Sequence, residues 1–300
     1  MILEPVMSDV TLKTMFGDFP VSEAFKRGDF ASPGLKLDLT DVPEAHKLFK
    51  PVVRDLVFDV AELSVMTFLI AKSKGVPLTL LPAVLLARFQ HPYIVYNSKK
   101  GALQPKDLEG LRVGIRSITV TTVTWVRGML INDFGLDLSK VNWVTFEDAH
   151  VAGVEDPPGV VRAGPEKAID QMLIDGDIDA AILGAPIDHP DVKTLFSDPL
   201  AAAAEWHAKH RAIQLNHMVV ARNDILAKYP DAVRDVYRQL KASKAAAGLP
   251  KLGEIDLNPF GFEENRHNLE LAIDCVYAQG LIERRYNVDE LFDEVTRSLD

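Results

Sequence analysis

Arg116, Ser117, Thr119, Thr121 and Thr122 crowd the end of a short apolar run, Leu111-Arg-Val-Gly-Ile, where the chain turns from strand into helix. Amides at a helix start attract anions, and a neighbouring guanidinium adds a fixed positive charge. A carboxylate or phosphate is the ligand such a segment suits. Ser117, Thr119 and Thr121 compete to cap the helix, so an ordinary N-cap beside a surface arginine is the other reading. Further along, Val120, Val123, Val126 and Leu130 form an apolar stripe at helical spacing, and Arg127 projects within it. A guanidinium among core residues calls for a carboxylate partner or a ligand.

Titratable groups stand at three other element ends. Glu62 and Ser64 close the run Phe58-Asp-Val-Ala-Glu-Leu-Ser, His91 precedes Pro92 between two strand signals, and His217 follows Leu215-Asn216 at the head of a late strand. Ligands of open α/β sheets bind beyond the carboxyl ends of strands, which favours Glu62 and Ser64, although a capping serine would look the same. His91 and His217 with Glu62 and Arg116 would make an acid–base set beside an anion site. His207 and His210 share a helix face but have no third ligand nearby, and Asp175-Gly-Asp-Ile-Asp179 has Ala180 where a calcium loop needs glycine. G-x-x-x-x-G-K-[ST], G-x-S-x-G and H-E-x-x-H motifs are absent.

The elements that must carry these groups alternate. Strands are expected at Leu35–Thr40, Phe58–Ser64, Leu78–Val84, Tyr93–Tyr96, Leu111–Ile115, Val141–Phe146, Ile178–Leu183, Val192–Phe196 and His217–Arg222. Helices are expected over Pro43–Val53, Val65–Lys72, Pro165–Ile174 (ended by Gly176) and Leu200–Lys209, and through the C-terminal part, broken at Gly248–Gly261. Alternation of this kind is the mark of an α/β protein. Ala149–Gly164 is a long irregular loop, a lid or a plain connection.

At 300 residues, the chain can form one large domain or two. A net charge of −10 argues against a nucleic-acid surface and leaves anion binding to a local basic pocket. Cys275 is the single cysteine, no run reaches the length of a membrane span, and Met1–Val10 lacks the basic-then-apolar pattern of a signal segment; the expected setting is cytoplasmic.

The order of motifs resembles the 4,5-dihydroxyphthalate decarboxylase family, relatives of periplasmic solute-binding proteins. The carriers are Phe58-Asp-Val-Ala-Glu-Leu-Ser, Phe89-Gln-His-Pro-Tyr-Ile-Val-Tyr, Asp107-Leu-Glu-Gly-Leu-Arg-Val-Gly-Ile, Val123-Thr-Trp-Val-Arg-Gly-Met-Leu, Asp177-Ile-Asp-Ala-Ala, Asn216-His-Met-Val-Val-Ala-Arg, Pro259-Phe-Gly-Phe-Glu-Glu-Asn-Arg and Gln279-Gly-Leu-Ile. The resemblance implies a two-lobed, type 2 periplasmic-binding-protein-like α/β fold with two hinge crossings. Placed near Tyr96 and His217, they give a first lobe of 1–96 plus 218–300 and a second of 97–217, with His91, Arg116, Thr119–Thr122 and His217 around one cleft. The implied activity is decarboxylation of a hydroxylated aromatic carboxylate, and the alternative is a module that captures a small carboxylate without chemistry. His91 or His217 would deliver a proton to the ring carbon, with Glu62 as partner. Arg116, Ser117, Thr119, Thr121, Thr122, Arg127, Ser64 and Asn216 would contact substrate. No cofactor is expected, a bridging divalent metal is left open, and so is a homo-oligomer. Gln90, Arg116-Ser-Ile-Thr-Val and Ala212-Ile-Gln-Leu-Asn depart from the family pattern and point to a related aromatic or enol-type carboxylate.

Overall fold

The computed structural model describes residues 10–300, so the Met1–Val10 stretch read for a signal segment lies almost wholly outside it. The chain separates into two compact units. The first takes the chain up to Arg88 with Leu215–Ile273 and Arg284–Asp300, and the second takes Phe89–Gln214 with Asp274–Glu283.

In the first unit the strands are β1 (Val10–Met15), β2 (Leu35–Thr40), β3 (Val60–Ser64), β4 (Leu78–Ala87) and, arriving late, β11 (Leu215–Arg222). They form one sheet in the order β2-β1-β3-β11-β4, with β1 parallel to β2 and β3, and β11 antiparallel to β3 and β4. Val10, Leu12 and Thr14 of β1 point inward while Thr11 and Lys13 face out, the period-two pattern of a half-covered strand. Around the sheet lie α1 (Pro20–Lys26), α2 (Phe49–Arg54), α3 (Val65–Ser73), α7 (Asn223–Lys228), α8 (Pro230–Ala246), most of α9 (Phe262–Ala278), and α10 (Glu294–Arg297). On α8, Val233, Val236, Tyr237 and Leu240 repeat at helical spacing and join Leu12, Phe16, Phe25, Val60 and Val219 in the core. Each such buried side chain contributes about 1.5–3 kcal/mol.

The second unit has β5 (Ile94–Asn97), β6 (Arg112–Ile115), β7 (Asn142–Thr145), β8 (Val161–Arg162), β9 (Ala180–Ile182) and β10 (Val192–Thr194), in the order β10-β5-β9-β6-β7-β8. Its helices are α4 (Thr121–Asn132), α5 (Ile169–Asp175) and α6 (Pro199–His210). Gly176 ends α5 at φ 81°, as its position predicts, because the left-handed turn costs glycine nothing. Val144, Leu173, Ile178 and Ala181 pack into this unit's core.

Lobe boundaries at Tyr96 and His217 need correcting. Strand β5 pairs with β9 and β10, so Ile94–Tyr96 belong to the second unit, and β11 already pairs with β3 and β4 from Leu215, in the first. Asp274–Glu283 adds a segment that was not foreseen. Cys275 Sγ–H and Gln279 Nε2 tie it to the Thr124 carbonyl, at 3.2 and 2.8 Å.

Candidate functional site

Antiparallel pairing of β11 with β3 sets the most reactive group in the first unit. His217 lies opposite Ser64, and Val219 opposite Glu62. Directly opposed and diagonal residues of an antiparallel pair share a face, so Glu62, Ser64 and His217 project to the same side. Pairing of β11 with β4 shifts register at His217, Met218 and Val219, a bulge facing the stretch that holds Pro82, which has no N–H for a ladder. Bulges of this kind re-aim a side chain.

Glu62 is 0% exposed. Its Oε2 accepts the Gly17 N–H at 2.7 Å, and its Oε1 lies 2.5 Å from His217 Nδ1. A carboxylate accepting at both oxygens requires the proton on Nδ1 and leaves Nε2 as the exchanging nitrogen. Among the described residues nothing bonds Nε2. The imidazole is held edge-on by Phe49 at 5.0 Å and Phe19 at 6.2 Å, with 15% of its side chain exposed. A positioned histidine of this form can take or give one proton at Nε2.

Gly17 fits this arrangement closely. A Cβ there would stand 3.2 Å from Glu62 Oε2 and 3.0 Å from the Phe19 ring. The turn is fixed by the Ser22 hydroxyl, which donates to the Gly17 carbonyl at 2.8 Å and accepts the Phe19 N–H at 3.2 Å. The sequence pattern points to neither Gly17 nor the two phenylalanines, and no strand is expected before Leu35; the alternation Val10-Thr-Leu-Lys-Thr, which forms β1, is the signal that leads to that turn. Ser64 serves as the N-cap of α3, accepting the Thr67 N–H at 3.3 Å and donating to the Thr67 hydroxyl at 2.7 Å. Asn216 is buried beside His217 in β11.

In the second unit the expected anion grip is altered. Arg116 makes a forked pair with Glu147, Nε to Oε1 and Nη2 to Oε2, both at 2.9 Å. Its carbonyl also accepts the Phe146 and Glu147 N–H groups. The guanidinium is therefore already matched to a carboxylate of this chain rather than standing free. Helix α4 starts at Thr121 with Val120 at the cap position and no side-chain cap, so none of the three competing hydroxyls takes that role. Ser117 and Thr119 instead lie hydroxyl to hydroxyl at 3.3 Å, Thr121 keeps a buried Oγ1 without a partner, and Thr122 is buried.

Arg127 finds a ring instead of a carboxylate. Its guanidinium lies 5.1 Å from the Trp143 centroid, its Nε and Nη1 are buried without partners, and it is 6% exposed. Burial pulls its pKa down to about 10. It is a core residue of the second unit.

His91 is also buried, its ring edge 5.2 Å from Phe196, and burial pulls its pKa down to about 4 against the opposing charge of Asp133. It shares a pocket with Asp133 and Phe134, just past the end of α4. The hydroxyl-rich segment is at the other end, a helix length of about 18 Å away at 1.5 Å per residue. The structure thus separates His91 from the Thr121 end of α4, where the resemblance had grouped them. His207 Nδ1 bonds the Ala212 carbonyl at 2.8 Å and His210 Nε2 meets Asp133 at 3.0 Å, so the two rings serve different partners. No group of three His, Cys, Asp or Glu side chains is gathered for a metal among the described residues.

Two α/β units, each built on its own mixed sheet, define the type 2 periplasmic-binding-protein-like fold. The chain matches the aliphatic sulphonate binding protein SsuA from Escherichia coli at TM-score 0.63 and 12% identity, covering 95% of this chain and 98% of that one. It matches the alkanesulfonate-binding protein SsuA from Xanthomonas axonopodis pv. citri at TM-score 0.56 and 14% identity, covering 95% and 99%. At these identities the likeness is one of fold. The particular resemblance lies elsewhere: the chain is 27% identical to the 4,5-dihydroxyphthalate decarboxylase of Comamonas testosteroni over 95% of its length and 97% of that protein's. The resemblance carried by the ordered motifs therefore holds along almost the whole chain. Residues 19–156 also match the family model described as NMT1/THI5 like.

Proposed function

We propose that the chain removes CO2 from a hydroxylated aromatic carboxylate, 4,5-dihydroxyphthalate or a close analogue, giving protocatechuate from the former. The observation that carries the proposal is the buried Glu62–His217 pair with Nε2 left to exchange a proton, on a chain similar end to end to a decarboxylase.

A ring carboxylate leaves poorly as CO2 because its electron pair has no sink. Protonating the ring carbon that bears it, while an ionised phenol para to that carbon donates electrons, gives a non-aromatic intermediate. Breaking the C–CO2 bond then returns its pair to the ring. One proton is consumed per CO2 released. The proposed donor is His217 as the imidazolium: it gives its Nε2 proton to the ring carbon, while Glu62 keeps hold of the Nδ1 proton and offsets the positive charge. Edge contacts from Phe19 and Phe49 fix the imidazole plane. Arg116, in the second unit, is proposed to bind a carboxylate by exchange with Glu147, since a forked guanidinium suits either.

The test is CO2 release from 4,5-dihydroxyphthalate by the wild type and by His217→Ala. Turnover lost in the variant, with folding retained by circular dichroism, supports the proposal. Equal turnover in both ends it. Tight binding by the wild type without CO2 release would favour the capture module instead.

A further inference from the structure

The second unit holds a pocket that the proposed chemistry does not use. It has a volume of about 180 Å³ and is lined by His91, Asp133, Phe134, Glu205, Trp206 and Lys209, between the end of α4 and one face of α6. A dry cavity of about 150 Å³ is enough to take benzene, so the space suits one aromatic ring.

Its polar content is specific. His91 is 3% exposed, its Nδ1 is buried without a partner, and neither ring nitrogen makes a hydrogen bond among the described residues. Buried polar groups are almost always satisfied, and an unmet one is costly, so this imidazole is one that a ligand would complete. With a pKa near 4 it is neutral at pH 7 and offers a lone pair rather than a charge. Asp133 Oδ1 already receives Lys209 Nζ at 2.5 Å and His210 Nε2 at 3.0 Å, and its Oδ2 is buried. Two carboxylates, Asp133 and Glu205, disfavour an anion, while Lys209 disfavours a cation. Two aromatic groups line it: Phe134 and His91 each contact the Phe196 ring, at 5.4 and 5.2 Å, and Trp206 is braced face-on by His210 at 4.6 Å.

We propose that this pocket binds one small, neutral, ring-shaped molecule carrying an O–H or N–H donor, a phenol being the simplest, with its donor on the His91 imidazole. The ring lies between Phe134 and Trp206, where edge-to-face contacts are available. The proposal rests on second-unit residues and is independent of the reading of Glu62 and His217.

The experiment titrates phenol, benzene and benzoate into the full chain at pH 7, following His91 imidazole resonances by NMR and heat by calorimetry. Phenol should shift the His91 signals with a Kd on the order of 1 mM, as a ligand of few atoms allows. Benzene should bind about tenfold more weakly for want of the donor, and benzoate should not bind. His91→Leu should abolish the phenol preference. Ala202→Leu, which fills the pocket from half-buried Ala202 on α6 and leaves His91 in place, should abolish phenol binding altogether. His91 resonances unmoved by phenol, as when the imidazole is satisfied by water only, would overturn the proposal. So would equal binding of benzoate, or binding that survives Ala202→Leu.

Discussion

Glu62→Gln tests the pairing at the level of single protons. The native carboxylate accepts from two donors, Gly17 N–H at 2.7 Å and His217 Nδ1 at 2.5 Å. A carboxamide of the same shape has one accepting oxygen and one donating nitrogen. If its oxygen keeps Gly17, its NH2 faces Nδ1, the imidazole must accept there, and the ring is held neutral with its one proton on Nε2, a far weaker acid than the imidazolium that the carboxylate supports. If its oxygen keeps His217, an NH2 meets the Gly17 N–H in a fully buried space. The first outcome costs catalysis and the second costs stability. Tautomer inversion of this kind lowers turnover by up to about 10,000-fold where it has been measured in a related arrangement, and a positioned acid contributes at least about 100-fold. The barrier should therefore rise by about 3–5 kcal/mol at 1.36 kcal/mol per decade. Losing the charge-assisted hydrogen bonds should lower unfolding free energy by about 1.5–3 kcal/mol. The assay is CO2 release at saturating 4,5-dihydroxyphthalate, with 15N chemical shifts of His217 to read the tautomer and urea unfolding to read stability. Wild-type turnover in a variant whose His217 shifts show the inverted tautomer would refute the reasoning.

Glu147→Ala should release Arg116 from its forked pair; if Arg116 holds substrate, KM falls, whereas Arg116→Ala raises it, and an unmoved KM in both assigns the pair to structure alone. Because that pair is partly exposed, at 30% and 44%, breaking it should cost less than about 1 kcal/mol of stability, measured by urea denaturation. Arg127→Met should leave stability unchanged or raise it, since burial pulls the guanidinium pKa well below its ordinary value, to about 10, an unfavourable burial on the order of 3 kcal/mol; a loss above about 3 kcal/mol, on the order of a broken buried pair, would contradict this. Acidification should destabilise the second unit through His91: its folded pKa, about 4, lies below the ordinary 6.5, so the unfolded chain binds the proton first. Stability should fall as pH drops from about 6.5 towards 4, and His91→Gln should flatten that part of the profile in thermal melts.

Much of the frame is legible in the amino-acid pattern. The run Val60–Ser64 into α3 announced itself through its apolar strand and capping serine, and Gly176 marked the end of α5. Glu62 and His217 were each conspicuous as polar groups at element ends. Their union was not readable, because it depends on β11 entering antiparallel beside β3 across a separation of 155 residues. Hydrophobic pattern gives a strand its faces but not its neighbour. Arg116 stood out as a cation at a strand end, but its pairing did not: Glu147, 31 residues on, carries no sign in the sequence of being within reach. Arg127 was correctly seen as a cation in an apolar stripe, but spacing could not tell that an indole ring rather than a carboxylate would meet it. Gly17 was invisible for the opposite reason, since a glycine after a strand is usually only a turn.

The late arrival of β11 bears on the order in which this protein matures. A nascent chain that has passed Gln214 can already possess every partner of the second sheet. Glu62, however, waits between β1 and a vacant slot until the strand carrying its histidine is delivered. The imidazole–carboxylate contact thus cannot precede closure of the first sheet, and its appearance times the completion of that unit during synthesis.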